Sequence, residues 1–126
     1  MFDIIAIDWG SVRTGLAFGS SESGLVIPYN KELDTKDLKE VLTQEINKKS
    51  INTIILGLPT NFKLQDTTVT TSIRIFAKEL EEYFPTIKLI FVNENNTSKA
   101  GKGLKNKHSI NHIAAVEILN IYLNNL

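Results

Sequence analysis

The stretch that decides the fold is Ala6-Ile7-Asp8-Trp9-Gly10-Ser11-Val12-Arg13-Thr14-Gly15-Leu16-Ala17. An apolar run ends in a single carboxylate at Asp8, and a second strand-like run begins at Gly15. A carboxylate at the tip of a buried strand is costly to desolvate unless a cation or hydrogen-bond donors meet it. Because Asp, Gly and Ser also favour tight turns, a turn with no further role is the alternative for this stretch.

Composition predicts one globular domain over residues 1–126, a length that can bury a core without disulfides or metal. The chain has no cysteine, no apolar run near the roughly 20 residues that span a membrane, and no signal-peptide pattern. We therefore expect a cytoplasmic protein with no membrane partner. The 14 basic residues balance the 14 acidic ones, so any nucleic-acid binding must come from a local patch.

Hydropathy patterning predicts a β-β-β-α-β-α-β-α order of elements, which is typical of the α/β class. The predicted strands are 3–8, 13–20, 25–30, 51–58 and 87–92, and the predicted helices run to residue 49 from a cap at Asp34 or Thr35, then 67–83 and 109–126. The first three strands are close enough in sequence to require an antiparallel meander. The fourth and fifth alternate with helices, so we expect them parallel to the first through right-handed crossovers.

Ligands of such sheets gather beyond the carboxyl ends of the parallel strands. Asp8 ends the first strand, Glu94 follows the fifth, and Asn111 stands in the first turn of the last helix. The topology therefore predicts that these three distant residues meet at one edge of the sheet. A solvated loop acid is the alternative for Glu94, and a helix cap is the alternative for Asn111.

Five motifs in order resemble the YqgF-type family of pre-16S rRNA nucleases, also described as Holliday-junction-resolvase-like. They are Asp8-Trp9-Gly10 through Arg13-Thr14-Gly15-Leu16-Ala17, Gly57-Leu58-Pro59, Phe76-Ala77-Lys78-Glu79-Leu80, Val92-Asn93-Glu94-Asn95-Asn96-Thr97-Ser98, and Asn111-His112-Ile113-Ala114-Ala115-Val116-Glu117-Ile118-Leu119. The resemblance implies an RNase H-like fold: a five-stranded mixed sheet with helices on both faces.

The same resemblance implies an activity, phosphodiester hydrolysis with Mg²⁺ or Mn²⁺ at the positions of Asp8, Glu94 and Asn111. The implied substrate is structured RNA such as the 5′ end of pre-16S rRNA, or branched DNA. The chain departs from the family pattern, because Asn93 and Asn111 replace aspartates and Asn95 replaces an arginine. An amide brings no charge to a cation, so a weakly held metal is expected. The alternative function is a catalytically impaired module that binds RNA, a ribosome precursor or a protein. A weaker one is nucleotide-phosphate binding at residues 8–15, as in sugar kinases.

Candidate nucleic-acid contacts are cationic side chains near the predicted site. They are Arg13 and the loop lysines Lys99, Lys102, Lys105 and Lys107. A basic loop of this kind can follow a nucleic-acid backbone through its phosphates. The alternatives are an outward-facing strand arginine and a solvated loop. His108 and His112 have zinc-ligand spacing, but no third ligand stands near them in the sequence. We expect the protein to be a monomer or a weak homodimer.

Overall fold

The computed structural model describes residues 1–58, 68–93 and 110–126, without the side chains of residues 68, 69, 110 and 111. Its centre is one five-stranded sheet with the order β3-β2-β1-β4-β5. The strands are β1 (Ile4–Asp8), β2 (Gly15–Gly19), β3 (Val26–Pro28), β4 (Thr53–Leu58) and β5 (Lys88–Asn93). Strands β1 and β4 are almost wholly buried, as strands covered on both faces are.

Pairing in the sheet confirms the predicted topology. Strand β1 is antiparallel to β2 and parallel to β4, and β2 is antiparallel to β3. Strand β5 lies parallel to β4 at the far edge. The carboxyl ends of β1, β4 and β5 therefore lie along the same edge of the sheet, which we call the carboxyl edge.

Helices cover both faces of the sheet, as predicted. Helices α1 (Leu38–Lys49) and α2 (Thr68–Tyr83) pack on one face with residues such as Ile5, Ile7 and Ile54. Helix α3 (Ile110–Asn124) packs on the other face, where Ala115, Ile118 and Leu119 meet Ile4 and Ala6. We call these the α1/α2 face and the α3 face. Alternate residues of a strand point to opposite faces, so β1 supplies both cores.

Two predicted details are wrong in the structure. Strand β3 is only three residues long, and Arg13 forms an isolated bridge with Asp34 instead of starting β2. A 3₁₀ turn (Thr35–Asp37) precedes α1. Asp34 stands at the start of this turn and Asp37 at the start of α1, but neither side chain forms a capping hydrogen bond. The hydroxyl of Thr35 instead donates to the carbonyl of Gly10 at 2.5 Å. The Thr35 hydroxyl, which a local helix cap would use, is therefore engaged in a long-range bond.

Candidate active site at the carboxyl edge of the sheet

Asp8 is the last residue of β1 and the only acidic residue of that strand. Since Ile4 and Ala6 belong to the core under α3, strand alternation places Asp8 on the α3 face. Burial raises the pKa of Asp8 from its ordinary value of 3.8 to about 6. Among the described residues, no hydrogen bond or ion pair compensates this carboxylate. Asp8 is thus a half-buried acid that a cation would stabilise in its ionised form.

Glycines flank Asp8 on both neighbouring strands. Asp8 pairs with Gly15 of β2, and the pairing of Ile7 with Leu56 brings the next residue of β4, Gly57, level with Asp8. Neither glycine adds a side chain beside the carboxylate. Glycine in a strand often marks a place where a ligand or another backbone comes close.

The loop over residues 9–14, which follows Asp8, is fixed by hydrogen bonds to the segment before α1. Thr35 donates its hydroxyl proton to the carbonyl of Gly10, so the 2.8 Å contact between the Thr14 and Thr35 hydroxyls has Thr14 as donor. A Cβ at Gly10 would lie 2.3 Å from the carbonyl oxygen of Arg13, and only glycine fits there. Asp8 is therefore followed by a fixed six-residue loop (residues 9–14) and is not part of a tight turn.

His112 anchors the start of α3 beside Asp8. The N–H of Leu16 donates to Nδ1 of His112 at 3.0 Å, while Nε2 lies 2.8 Å from the carbonyl of Lys31 and donates to it. Leu16 pairs with Ile7, one residue before Asp8, so the first turn of α3 lies at the carboxyl edge. The N–H of Tyr29 donates to the carbonyl of Leu16. In a regular antiparallel pair the N–H of Leu16 would donate back to the carbonyl of Tyr29. Here it donates to Nδ1 of His112 instead.

The sequence suggests His112 only as a possible zinc ligand and carries no sign of this role. Both ring nitrogens are bonded to backbone groups, and the side chain is 5% exposed. Burial lowers the pKa of His112, and the carbonyl of Lys31 and the charge of Glu32 offset this effect only in part. Because Nδ1 accepts the N–H of Leu16, it carries no proton, and the ring is neutral with its proton on Nε2. A histidine one position after Asn111 carries no sequence signal of a bond to a strand 96 residues away.

The other predicted site residues are described in part. Asn111 stands in the first turn of α3, at the same edge as Asp8, but its side chain lies outside the described residues. Glu94 and the four loop lysines (Lys99, Lys102, Lys105, Lys107) also lie outside them. Nη1 of Arg13 contacts both carboxylate oxygens of Glu32 at 2.9 Å, and both side chains are about half exposed. Exposed ion pairs of this kind stabilise a fold by at most about 1 kcal/mol.

The described residues contain neither a cluster of metal-binding side chains nor a membrane-spanning helix. Within residues 1–58, 68–93 and 110–126, no three His, Cys, Asp or Glu side chains cluster as a metal site would require. No helix in these ranges has the length and apolarity to cross a membrane.

Comparison with known families supports the predicted resemblance. A family model described as "RuvX: Holliday junction resolvase" matches residues 3–125. The chain belongs to this family. A relative in Porphyromonas gingivalis, named "Putative pre-16S rRNA nuclease", is 32% identical over 97% of this chain and 96% of its own length. A relative of the same name in Mycoplasma mobile is 30% identical over 96% of this chain and 91% of its own.

Solved structures confirm the RNase H-like architecture expected for a RuvX-family chain. The crystal structure of the fowlpox virus Holliday junction resolvase superposes over the full length of both chains with a TM-score of 0.63 and 18% identity. The Thermus thermophilus RuvC structure covers 99% of this chain and 95% of its own, with a TM-score of 0.62 and 8% identity. Identities this low support a shared fold and nothing more.

Proposed function

We propose that this chain is a metal-dependent nuclease that hydrolyses phosphodiester bonds in structured RNA such as pre-16S rRNA, or in branched DNA. The observation that carries the proposal is Asp8, a desolvated carboxylate without a described partner, flanked by glycines at the carboxyl edge. The names of the relatives support an rRNA precursor as substrate. The absence of cysteine fits action in the reducing cytoplasm.

The proposed cation ligands are Asp8, Glu94 and Asn111. Asp8 fits a divalent cation such as Mg²⁺ or Mn²⁺, because these ions take oxygen ligands and the charge would offset the cost of desolvation. Ile90 and Val92 of β5 face α3. Glu94 is the second residue after Val92 in the sequence, which supports its inclusion as a ligand. Asn111 precedes the fully buried Ala115 by one helical turn, which supports a role as the third, uncharged ligand.

In the proposed site, Asp8, Arg13 and the lysines between residues 99 and 107 have different tasks. The Asp8 carboxylate must be ionised to bind a cation, so activity should rise as the pH increases through about 6. A divalent cation, when bound, lowers the pKa of its water and offsets charge on the leaving oxygen. Arg13 can exchange its exposed partner Glu32 for a substrate phosphate. The lysines between residues 99 and 107 would hold the backbone on either side.

The test is cleavage of structured RNA and of a four-way DNA junction with Mg²⁺ or Mn²⁺, by wild type and by Asp8→Asn. We expect metal-dependent cleavage that falls by at least about 100-fold in Asp8→Asn, together with loss of Mn²⁺ binding in calorimetry. Asp3→Asn is the matched control, because Asp3 precedes the same strand at its opposite end and is bonded to Ser21. Cleavage by Asp8→Asn at the rate of wild type would refute the proposal.

Asn93 and Asn111 favour a second candidate, a module that binds nucleic acid, a ribosome precursor or a protein without turnover. Both residues replace acidic residues of the family pattern, and Asn93 is exposed at the end of β5. This candidate predicts retention of RNA at low salt, no cleavage by wild type, and a gain of cleavage in the double variant Asn93→Asp, Asn111→Asp. Cleavage by the unmodified chain would exclude it.

A further inference from the structure

A cleft of about 450 Å³ lies between α1 and α2, on the face of the sheet opposite to Asp8. Its described lining includes Trp9, Lys36, Lys39, Ile75, Phe76 and Glu79. Trp9 follows Asp8 directly, so the cleft begins at the carboxyl edge one residue from the proposed catalytic carboxylate. The volume falls in the range of about 300–1,000 Å³ that is typical of small-ligand sites.

The cleft has an aromatic floor that is partly open to solvent. The rings of Trp9 and Phe76 lie 6.3 Å apart between centroids, with an interplanar angle of 32°. Phe76 is buried beneath, whereas Trp9 keeps part of its surface exposed and the neighbouring Ile75 is 58% exposed. An indole held on a buried ring is a rigid apolar platform of the kind that stacks on planar ligands.

Charged groups line the rim of the cleft. Nζ of Lys39 pairs with Glu79 at 3.1 Å. Lys36 is exposed, and within residues 1–58, 68–93 and 110–126 it has no ion pair. Lys36 can therefore bind an anion without breaking an existing pair. The carboxylate of Glu79 is an acceptor for the exocyclic amino group of a base.

We propose that this cleft binds one unpaired nucleobase of the substrate, stacked on Trp9, with its phosphate at Lys36. The inference rests on the proposed function in one respect, namely that the substrate is a nucleic acid. Adjacent strand residues face opposite sides of the sheet. A polynucleotide that crosses the carboxyl edge would therefore present a phosphate to Asp8 and a neighbouring base to Trp9. A planar platform, an unpaired cation and an acceptor together match the chemistry of a nucleotide.

Trp9 is the one tryptophan of the chain, so tryptophan fluorescence, excited at a wavelength where the three tyrosines do not absorb, reports on this cleft alone. The experiment uses full-length Asp8→Asn in EDTA, which prevents cleavage, titrated with a single-stranded RNA oligonucleotide and with an abasic oligonucleotide of the same length. We expect saturable quenching by the first and affinity about 5- to 30-fold weaker for the second, because only the first can stack. Equal quenching and affinity with both would overturn the proposal.

Variants separate the cleft from the rest of the surface, with affinity measured by anisotropy of the labelled oligonucleotide. Trp9→Ala should weaken binding about 5- to 30-fold, whereas Trp9→Phe keeps most of it. Lys36→Ala changes an exposed residue, so the variant should fold. It should bind more weakly, and the slope of log affinity against log salt concentration should fall by the contribution of one phosphate. Tyr83→Ala is the control, because Tyr83 is an exposed aromatic residue, 58% accessible, that lies outside the cleft. Equal losses in Trp9→Ala and Tyr83→Ala would overturn the proposal.

The outcomes also separate this inference from the nuclease activity. Binding that depends on Trp9, without cleavage by wild type in Mg²⁺ or Mn²⁺, supports the cleft and counts against the nuclease. Cleavage with binding that is insensitive to Trp9 and Lys36 supports the nuclease and refutes the cleft. Absence of any nucleic-acid binding refutes both.

Discussion

The carboxylate of Asp8 destabilises the folded chain whenever it is ionised without a cation. Its pKa is raised to about 6 by burial, so the folded state binds this proton more tightly than the unfolded state does. Above pH 6 the folded state carries a desolvated charge, at a cost of about 3 kcal/mol at most. As the pH falls from about 6 towards 4, this cost disappears. A buried acid with a strongly perturbed pKa that is costly for stability is a candidate for function.

Asp8→Asn should therefore stabilise the protein at neutral pH. We expect the free energy of unfolding at pH 7.5 to rise by about 1 to 3 kcal/mol, and the difference from wild type to vanish near pH 4. Urea unfolding at both pH values measures it. Asp3→Asn is the control with the opposite sign: burial acts to raise the pKa of Asp3, but hydrogen bonds from Ser21 outweigh it and lower that pKa. A less stable Asp8→Asn at pH 7.5 would contradict the assignment of Asp8 as an uncompensated acid.

At the scale of elements, α3 is attached to the sheet by close packing at one end and by His112 at the other. A Cβ at Gly19 would lie 2.7 Å from Cδ2 of Leu119, so the absence of a side chain there lets the second half of the helix approach β2. At its first turn, His112 bonds to Leu16 and to the carbonyl of Lys31. The position of Asn111 relative to Asp8 therefore depends on these contacts.

His112→Leu should test this attachment, because leucine keeps much of the volume but accepts no hydrogen bond. The buried N–H of Leu16 would be left unsatisfied, at a cost of about 1–3 kcal/mol in the free energy of unfolding. His112→Gln, which can offer an amide oxygen, should lose less. Urea unfolding gives the stabilities, and amide exchange of Leu16 locates the effect. The control Asn120→Leu changes an exposed residue of the same helix and should alter stability by no more than about 0.5 kcal/mol.

The pH dependence of the same variant gives an independent check. The pKa of His112 is lowered in the folded state, so the unfolded chain binds the proton more tightly. Wild type should lose this part of its stability as the pH falls below about 6.5, and His112→Leu should not. The slope is opposite in sign to that of Asp8. A slope unchanged by His112→Leu would show that the pKa of His112 is the same in the folded and unfolded chain, which would contradict a lowered pKa.

The elements themselves were predictable from the sequence, whereas their tertiary partners were not. Hydrophobic periodicity reflects which face is buried, and it gave five strands, three helices and the position of Asp8 at a strand end. Thr35 has the sequence signature of a helix cap, but its hydroxyl bonds to Gly10, 25 residues away. The placement of Gly57 beside Asp8 depends on the register of β1 and β4, which no local pattern specifies.

At the scale of the whole molecule, the two faces of the sheet have different chemistry at the same edge. The α3 face carries the Asp8 carboxylate between two glycines, and the α1/α2 face carries the Trp9 cleft with its cationic rim. The net formal charge is zero, so no general attraction draws polyanions to the surface. Nucleic-acid affinity must then arise from a few local cations. The slope of log affinity against log salt concentration measures how many phosphates these cations neutralise.

Substitution of the loop lysines gives the prediction at this scale. Replacing Lys99, Lys102, Lys105 and Lys107 by Ala should lower the slope of log affinity against log salt concentration by about 0.7 to 0.9 for each phosphate that is no longer neutralised, so by at most about 2.8 to 3.6 for all four. Anisotropy titrations of a labelled RNA between low and moderate salt measure the slope. The control replaces three other lysines, Lys48, Lys78 and Lys88, which are exposed on α1, α2 and β5, and should leave the slope within about 0.5 of wild type. Equal reductions per lysine in both sets would show that binding is spread over the surface. An unchanged slope in the loop variant would remove these four lysines from the interface and leave Arg13 and Lys36 as its remaining candidate cations.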